Sequence, residues 1–382
     1  MIPKGFSFSA INAGIKSPDY KELDLGLILC SEEAVASGVF TQNLVKAAPV
    51  IIGMEQVRKG RVRAIIANSG NANACTGQQG IDDAHAIMEA VAKSLRISPE
   101  EVVPLSTGVI GVEMPVERII PKIPQLADQL TDKTEPFARS LMTTDTFPKI
   151  VARRAGEAHV LGFAKGAGMI APNMATTLAV VLTDAKIGKQ HLDNIVYYSI
   201  KNTFNAITVD GDTSTNDTLI ALASGLVDAE LSEVQQAISD TIRELAIMVV
   251  KDGEGATKLV SIAVEGAGSV PEAKTIAMAV ANSLLVKTAL FGADPNWGRI
   301  VAAVGYSGVL LEPANISVRI QGLSVVEGGQ QAAAFDETVL HKALLKKEIQ
   351  IDISVGEGPG RFQAWTTDLS YKYIEINAQY RT

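Results

Sequence analysis

A chain of 382 residues is long enough for one large or two ordinary domains with ample core. Apolar residues make up 47% of it and charged residues 20%, the balance of a globular and not a disordered protein. The net charge of −8, with no extended Lys/Arg run, argues against a nucleic-acid binder, because phosphate contact needs a basic face.

In chain order, 24–30 (DLGLILC) and 38–41 (GVFT) read as strands with a turn-prone SEEAVAS between them. Residues 61–67 (RVRAIIA) form another strand that ends in NSGNANACTG, 68–77, where Asn, Ser and Gly favour turns and positive φ. The spacing of Ala84, Ile87, Met88, Val91 and Leu95 predicts a helix over 82–95, with acidic residues in its first turn. Val102 to Leu105 leads into Ser106-Thr107-Gly108, a strand-to-loop break with a hydroxyl beside a glycine. A helical segment over 115–131 precedes the hydroxyl cluster Thr143-Thr144-Asp145-Thr146, and the polar stretch from Thr146 to His159 reads as a connector.

At the centre, Lys165 to Asp184 (KGAGMIAPNMATTLAVVLTD) runs from a glycine-rich lead-in through a Pro-Asn kink into a short, fully buried strand. Helical periodicity follows from Leu192 to Phe204, then the loop ITVDGDTSTND, 207–217. A helix over 231–251, with Ser232 as cap and Val234, Ile238, Ile242, Leu245 and Val249 as its buried stripe, stops at DGEGATK, 252–258. A strand (259–266), a helix (272–290), the loop 292–299 and strands near 316–320, 349–355 and 371–377 complete a mixed α/β pattern.

Cys30 and Cys75 are the only cysteines, which argues against a disulfide scaffold, fits a reducing compartment and leaves no CxxC metal pair. The N-terminal stretch lacks the apolar core of a signal peptide, and no apolar run approaches the 18 or more residues of a membrane span. A soluble, cytoplasmic protein with neither membrane nor nucleic-acid partners is the expectation. The four histidines are scattered, with no HExxH spacing, and no GxSxG elbow exists. KGAGMI lacks the GK[ST] ending of a phosphate loop, and the Asp210–Asp212 start of a calcium loop fails at Thr215 and Ala221.

Threonines at loop–strand junctions, without an obvious histidine base, suit one mechanism. An internal threonine attacks the carbonyl before it, and water cuts the resulting ester. The new N-terminal threonine then carries nucleophile and base together, because its freed α-amine titrates near about pH 8. Ala175-Thr176 fits: a small residue leaves the carbonyl open, and glycines with Pro172 allow a tight turn. The Thr107 hydroxyl and Gly108 N–H are candidate oxyanion donors, groups whose removal elsewhere costs about 2.7–4 kcal/mol.

An ordered set of segments carries a resemblance over nearly the whole chain: AGIK (13–16), GVFTQNLVKAAPV (38–50), NSGNAN, STGVIG, MTTDTFPK, KGAGMIAPNMAT, VDGDTSTNDT, DGEGATK, GADPNWGR and the terminal NAQYRT. With these the sequence resembles the ornithine acetyltransferases (glutamate N-acetyltransferases) of the cyclic arginine pathway. The resemblance implies a layered α-β-β-α sandwich of the self-cleaving aminopeptidase superfamily. It implies cleavage between Ala175 and Thr176 into an α chain (1–175) and a β chain (176–382), with Thr176 as nucleophile. Acetylornithine would acetylate Thr176, ornithine would leave, and glutamate would take the acetyl group as acetylglutamate, a ping-pong exchange without metal or bound cofactor. Thr107 and Gly108 would form the oxyanion hole. Thr143, Lys165, Thr176, Glu254, Asn377 and Thr382 would contact substrate, with Lys165 suited to its carboxylate and Glu254 to its amine. Two α and two β chains would assemble as a heterotetramer.

Two positions depart from the pattern. Ala167 stands where many relatives have serine, and Thr177 where methionine is common. Two other readings stand beside this one: a self-cleaving aminopeptidase or amidase that passes the acyl group to water, and a binding or regulatory protein that keeps the fold alone. The sequence leaves open whether acetyl-CoA also serves as co-substrate and donor.

Overall fold

The computed structural model describes residues 1–171 and 177–379. They fall into two compact units. The first takes in residues up to Asn205 and Asp212–Val249, the second Ala206–Gly211 and the described chain from Val250 onward.

In the first unit, β1 (Phe6–Ile11), β2 (Leu25–Phe40), β3 (Arg61–Asn68), β4 (Val102–Ser106), β5 (Lys149–Ala155), β6 (Ala158–Lys165), β7 (Leu178–Ala185) and β8 (Thr218–Val227) make one sheet. Its order is β4-β3-β2-β8-β7-β6-β5, with β1 paired to β2. The β3–β4 and β7–β8 pairs are parallel and the others antiparallel.

The strand period of two sorts β3 between two cores. Ile65 and Ala67 join Phe8, Phe137, Phe163, Val180 and Leu182, whereas Ala64 and Ile66 join Ala84, Ile87, Met88 and Val91 of the helix Gly77–Leu95. Both faces are covered, which is why Leu178 to Leu182 reads as an unbroken apolar run and β7 is buried at every position, Thr183 and Asp184 included. The Phe137 and Phe163 rings meet edge-on with centroids 5.1 Å apart. Truncating such a ring to alanine costs about 3–5 kcal/mol. On β6, Gly162 admits the helix Leu231–Lys251: a Cβ there would lie 2.5 Å from Thr241 Cγ2. At one end of these strands β6 stops where β7 and β8 begin, since Lys165 pairs with Leu178 and Leu178 with Thr218.

The second unit holds β9 (Leu259–Gly266), β10 (Ser317–Ile320), β11 (Leu323–Glu327), β12 (Gln330–Gln331), β13 (Glu348–Ser354) and β14 (Gly358–Thr367), in the order β12-β11-β10-β13-β9-β14. The helix Val270–Asn282 packs on β9 and β14.

The mixed α/β class stands as expected, and several local expectations are corrected. SEEAVAS is no turn: β2 runs through it, and a register shift between Leu29 and Ala34 absorbs the exposed Ser31, Glu32 and Glu33. The helix expected from Asp82 begins at Gly77, so its first turn holds no acid. Of its glycines, Gly80 lacks a side chain where Thr76 and Asn73 approach, and Gly77 takes a positive φ of +61°. The 115–131 segment is helical as expected but in three short pieces, Val116–Ile119, Ile120–Lys122 and Ile123–Asp128, with Pro115, Pro121 and Pro124 at or near their starts. The expected connector after Thr146 is the strand β5, which lies at the end of the sheet order and carries the charges that protect an edge.

Ser232 lies inside its helix instead of capping it. The helix expected over 272–290 is two, Val270–Asn282 and Leu284–Phe291, bent by 55° where Ser283 caps the second. Among the described residues no single helix is long and apolar enough to cross a membrane, though this bent pair passes by length and composition. The loop 292–299 already contains the start of the helix Trp297–Gly305. Residues 371–377 belong to the helix Tyr371–Gln379, not a strand, and Ser370 Oγ accepts the Lys372 N–H at its start.

Candidate active site

The end of β4 is shaped by one glycine. Gly108 has φ +133°, and a Cβ there would lie 2.3 Å from the Gly70 carbonyl carbon, so no other residue fits. Around it the asparagine-rich turn is held by side chains bonding to backbone. Thr107 N–H donates to Asn68 O at 3.0 Å, Asn68 Nδ2 to Asn71 O at 2.8 Å, and Ser106 Oγ to Asn68 Oδ1 at 2.6 Å. Asn216 ties the loop before β8 to the same place, its Nδ2 donating to Ala72 O at 2.7 Å and Ser106 O at 2.8 Å.

Lys165, the last residue of β6, reaches this turn. Its Nζ donates to Thr107 Oγ1 at 2.9 Å across a separation of 58 residues, and both side chains are buried. An ammonium beside a hydroxyl and a positive-φ glycine is an arrangement suited to an anion.

Two buried aspartates flank Lys165 electrostatically. Asp145 Oδ1 accepts Lys149 Nζ at 2.6 Å and Gly166 N–H at 2.7 Å, and its Oδ2 accepts Thr143 N–H at 3.0 Å. Burial alone would raise this carboxyl, but the charges of Lys149 and Lys165 and the Gly166 N–H outweigh it and hold the group below its usual range. Asp217 goes the other way. Burial pushes it up to about 8, against the opposing Thr177 N–H bond, the Lys165 charge and the neighbouring Ser214. Its Oδ1 accepts Thr177 N–H at 2.7 Å, while its Oδ2 and the Thr177 hydroxyl find no hydrogen-bond partner among the described residues.

Thr177 itself has φ +109°, a conformation costing about 1–3 kcal/mol in a non-glycine residue and held only where the surroundings impose it. In the second unit, Glu254 is buried in the turn after the helix Leu231–Lys251, and its Oε2 accepts Asn377 Nδ2 at 2.7 Å. Gly255, with φ +68°, lets the backbone of Tyr373 approach this turn, since a Cβ would lie 2.4 Å from Tyr373 N.

Of the residues singled out in the sequence, Thr107, Gly108 and Lys165 thus come together, and Thr143 joins them through Asp145. Glu254 meets Asn377. Ala175, Thr176 and Thr382 lie outside the described residues. Asp145, Lys149, Asn216 and Asp217 were not singled out. Two signals existed for them: Asp145 and Lys149 are four residues apart, and Asp217 directly precedes a buried strand.

The model of the ArgJ family matches residues 7–382. The arginine biosynthesis bifunctional protein ArgJ of Geobacter sulfurreducens is 48% identical over 395 residues, which cover 100% of both chains. A crystal structure of the protein of that name from Bacillus halodurans is 37% identical, covers 52% of this chain and 96% of its own, and superposes with a TM-score of 0.50. An ornithine acetyltransferase from Mycobacterium tuberculosis, solved with ornithine, is 40% identical over 45% of this chain and 94% of its own, with a TM-score of 0.44.

Proposed function

This chain belongs to the ArgJ family and is an acyltransferase of arginine biosynthesis; from that premise we propose that it moves acetyl from N2-acetylornithine to glutamate through acetyl-Thr176. The chain cuts itself between Ala175 and Thr176. The freed α-amine of Thr176 serves as base for its own hydroxyl, which attacks the acetyl carbonyl. The acetyl C–N bond breaks, ornithine leaves with the proton on its amine, and the amine of glutamate then takes the acetyl group from the Thr176 ester. The Thr107 hydroxyl and Gly108 N–H stabilise the oxyanion. Thr143, Lys165, Glu254, Asn377 and Thr382 hold the amino-acid substrate, Lys165 by its carboxylate and Glu254 by its amine.

The observation that carries this reading is the 2.9 Å bond from Lys165 Nζ to Thr107 Oγ1. It joins a candidate substrate-binding cation to a candidate oxyanion donor. Neither a metal nor a bound cofactor enters the reaction. Relatives named bifunctional support a second donor, which we take to be acetyl-CoA. Two α and two β chains are the proposed assembly, which native mass spectrometry tests.

A paired assay tests the function: glutamate acetylation is measured from acetylornithine and from acetyl-CoA, each with and without glutamate. Acetylornithine consumption that requires glutamate supports transfer. Consumption equally fast without it would make the enzyme an amidase of the same superfamily.

A further inference from the structure

The reaction above uses the hydroxyl and amine of Thr176 and leaves out a carboxyl that grips the same residue's peptide bond. Asp217 is 2% exposed, and its Oδ1 accepts the Thr177 N–H at 2.7 Å. That nitrogen is covalently bonded to the Thr176 carbonyl carbon, and a cut between Ala175 and Thr176 leaves this bond in place. The next residue, Thr218, donates its N–H to Thr177 O at 2.9 Å. Two consecutive residues therefore hold both backbone polar groups of Thr177, and between these groups φ is +109°. Asp217 Oδ2 makes no hydrogen bond among the described residues, so the second oxygen is not spent on holding the fold.

Resting on the reading of Thr176 as nucleophile, we propose that Asp217, through its bond to the Thr177 N–H, is a positioning residue for Thr176 in self-cleavage and in acetyl transfer. The groups facing it are Lys165 from the end of β6, Thr177 at the start of β7 and Ser214 from its own loop. Lys165 is the only ion among them, and its ammonium is bonded to Thr107. Burial, which raises the carboxyl to about 8, keeps it protonated at neutral pH. Ionisation on the alkaline side draws the Lys165 ammonium away from Thr107 and weakens the oxyanion donor. An α-amine near about pH 8 gives the opposite, rising limb, so the two together make a bell.

The test compares the full chain with Asp217→Asn and Asp217→Ala, reading the cleaved fraction by intact mass and kcat and KM for acetylornithine from about pH 6 to about pH 10. Asn keeps an acceptor for Thr177 N–H and cannot ionise, so D217N should cleave, keep measurable turnover and lack the alkaline fall. D217A should lose about tenfold or more in cleavage rate and in kcat, with KM within about twofold, the pattern of a misplaced nucleophile. D217A matching the unsubstituted chain, or D217N retaining the alkaline fall, would overturn the proposal. Should D217A fail to fold, the D217N profile decides alone. An unsubstituted chain that neither cleaves nor turns over would overturn the nucleophile assignment and this inference with it, and needs no variant to be seen.

Discussion

Asp145 and Asp217 are both buried in the first unit and both feel the charge of Lys165, yet their carboxyls move in opposite directions. Asp145 has two N–H donors and a paired ammonium at 2.6 Å, and burial loses to them. Asp217 has the Thr177 N–H, the Ser214 contacts and a cation already bonded to Thr107, and burial wins. What decides is therefore the supply of donors and cations around the group, not its depth. The ionised aspartate locks Lys149, Thr143 and Gly166 into one cluster. The other holds the N–H of Thr177 at the start of β7.

The comparison can be broken most forcefully at Asp145. Asp145→Ala removes the carboxylate paired with the buried Lys149 ammonium and should cost about 3–5 kcal/mol in urea unfolding. Because the folded carboxyl lies below its ordinary value of 3.8, its stabilisation is present above that pH and is lost as pH falls through the folded value. The unsubstituted chain should therefore weaken below about pH 4, and D145A should show a flatter acid limb there. A loss well under about 1 kcal/mol would mean that other groups satisfy the Lys149 ammonium without this carboxylate.

Lys165→Met removes the cation common to both carboxyls. With the Thr107 bond gone, kcat/KM for acetylornithine should fall about 10²-fold, the scale of an oxyanion donor. Unchanged turnover would separate Lys165 from the chemistry.

Asp217→Asn carries the opposite sign from the change at Asp145. A folded value raised to about 8 gives stability that is complete below 3.8 and lost as pH rises through 8. The Asn variant should thus gain a few degrees in Tm near about pH 8 and almost nothing near about pH 4, by calorimetry. A loss at both pH values would place an ionised carboxylate there instead. Smallest of all, Asn377→Ala removes one donor from Glu254 in the second unit and should cost about 1 kcal/mol, with no change in the pH dependence assigned to either aspartate.

Legibility in the sequence follows the range of the interaction. β7 was readable from its run Leu178 to Leu182, apolar because both faces of the strand are covered, and the Ser106-Thr107-Gly108 break because glycine marks a positive φ. Lys165, Glu254 and Asn377 came from resemblance, and the sequence held no physical reason for them. Asp145 and Asp217 were missed because their states arise from burial and from partners far along the chain, 21 residues away in Gly166 and 40 in Thr177. Local errors share a cause. The alternation in YKYIEIN imitates a strand while Ser370 starts a helix, and the polar run after Thr146 imitates a linker while forming an edge strand.

The central claim is that Thr176 becomes an N-terminal nucleophile that carries the acetyl group. Its most direct test is the intact and fragment mass of the purified chain after brief exposure to acetylornithine. The account predicts two fragments, the second beginning at Thr176 and heavier by one acetyl group on that residue, which glutamate then removes; Thr176→Ala should give a single uncut, unacetylated chain. A fragment beginning at Thr177, cutting that survives the substitution, or turnover without acetyl on Thr176 would contradict it.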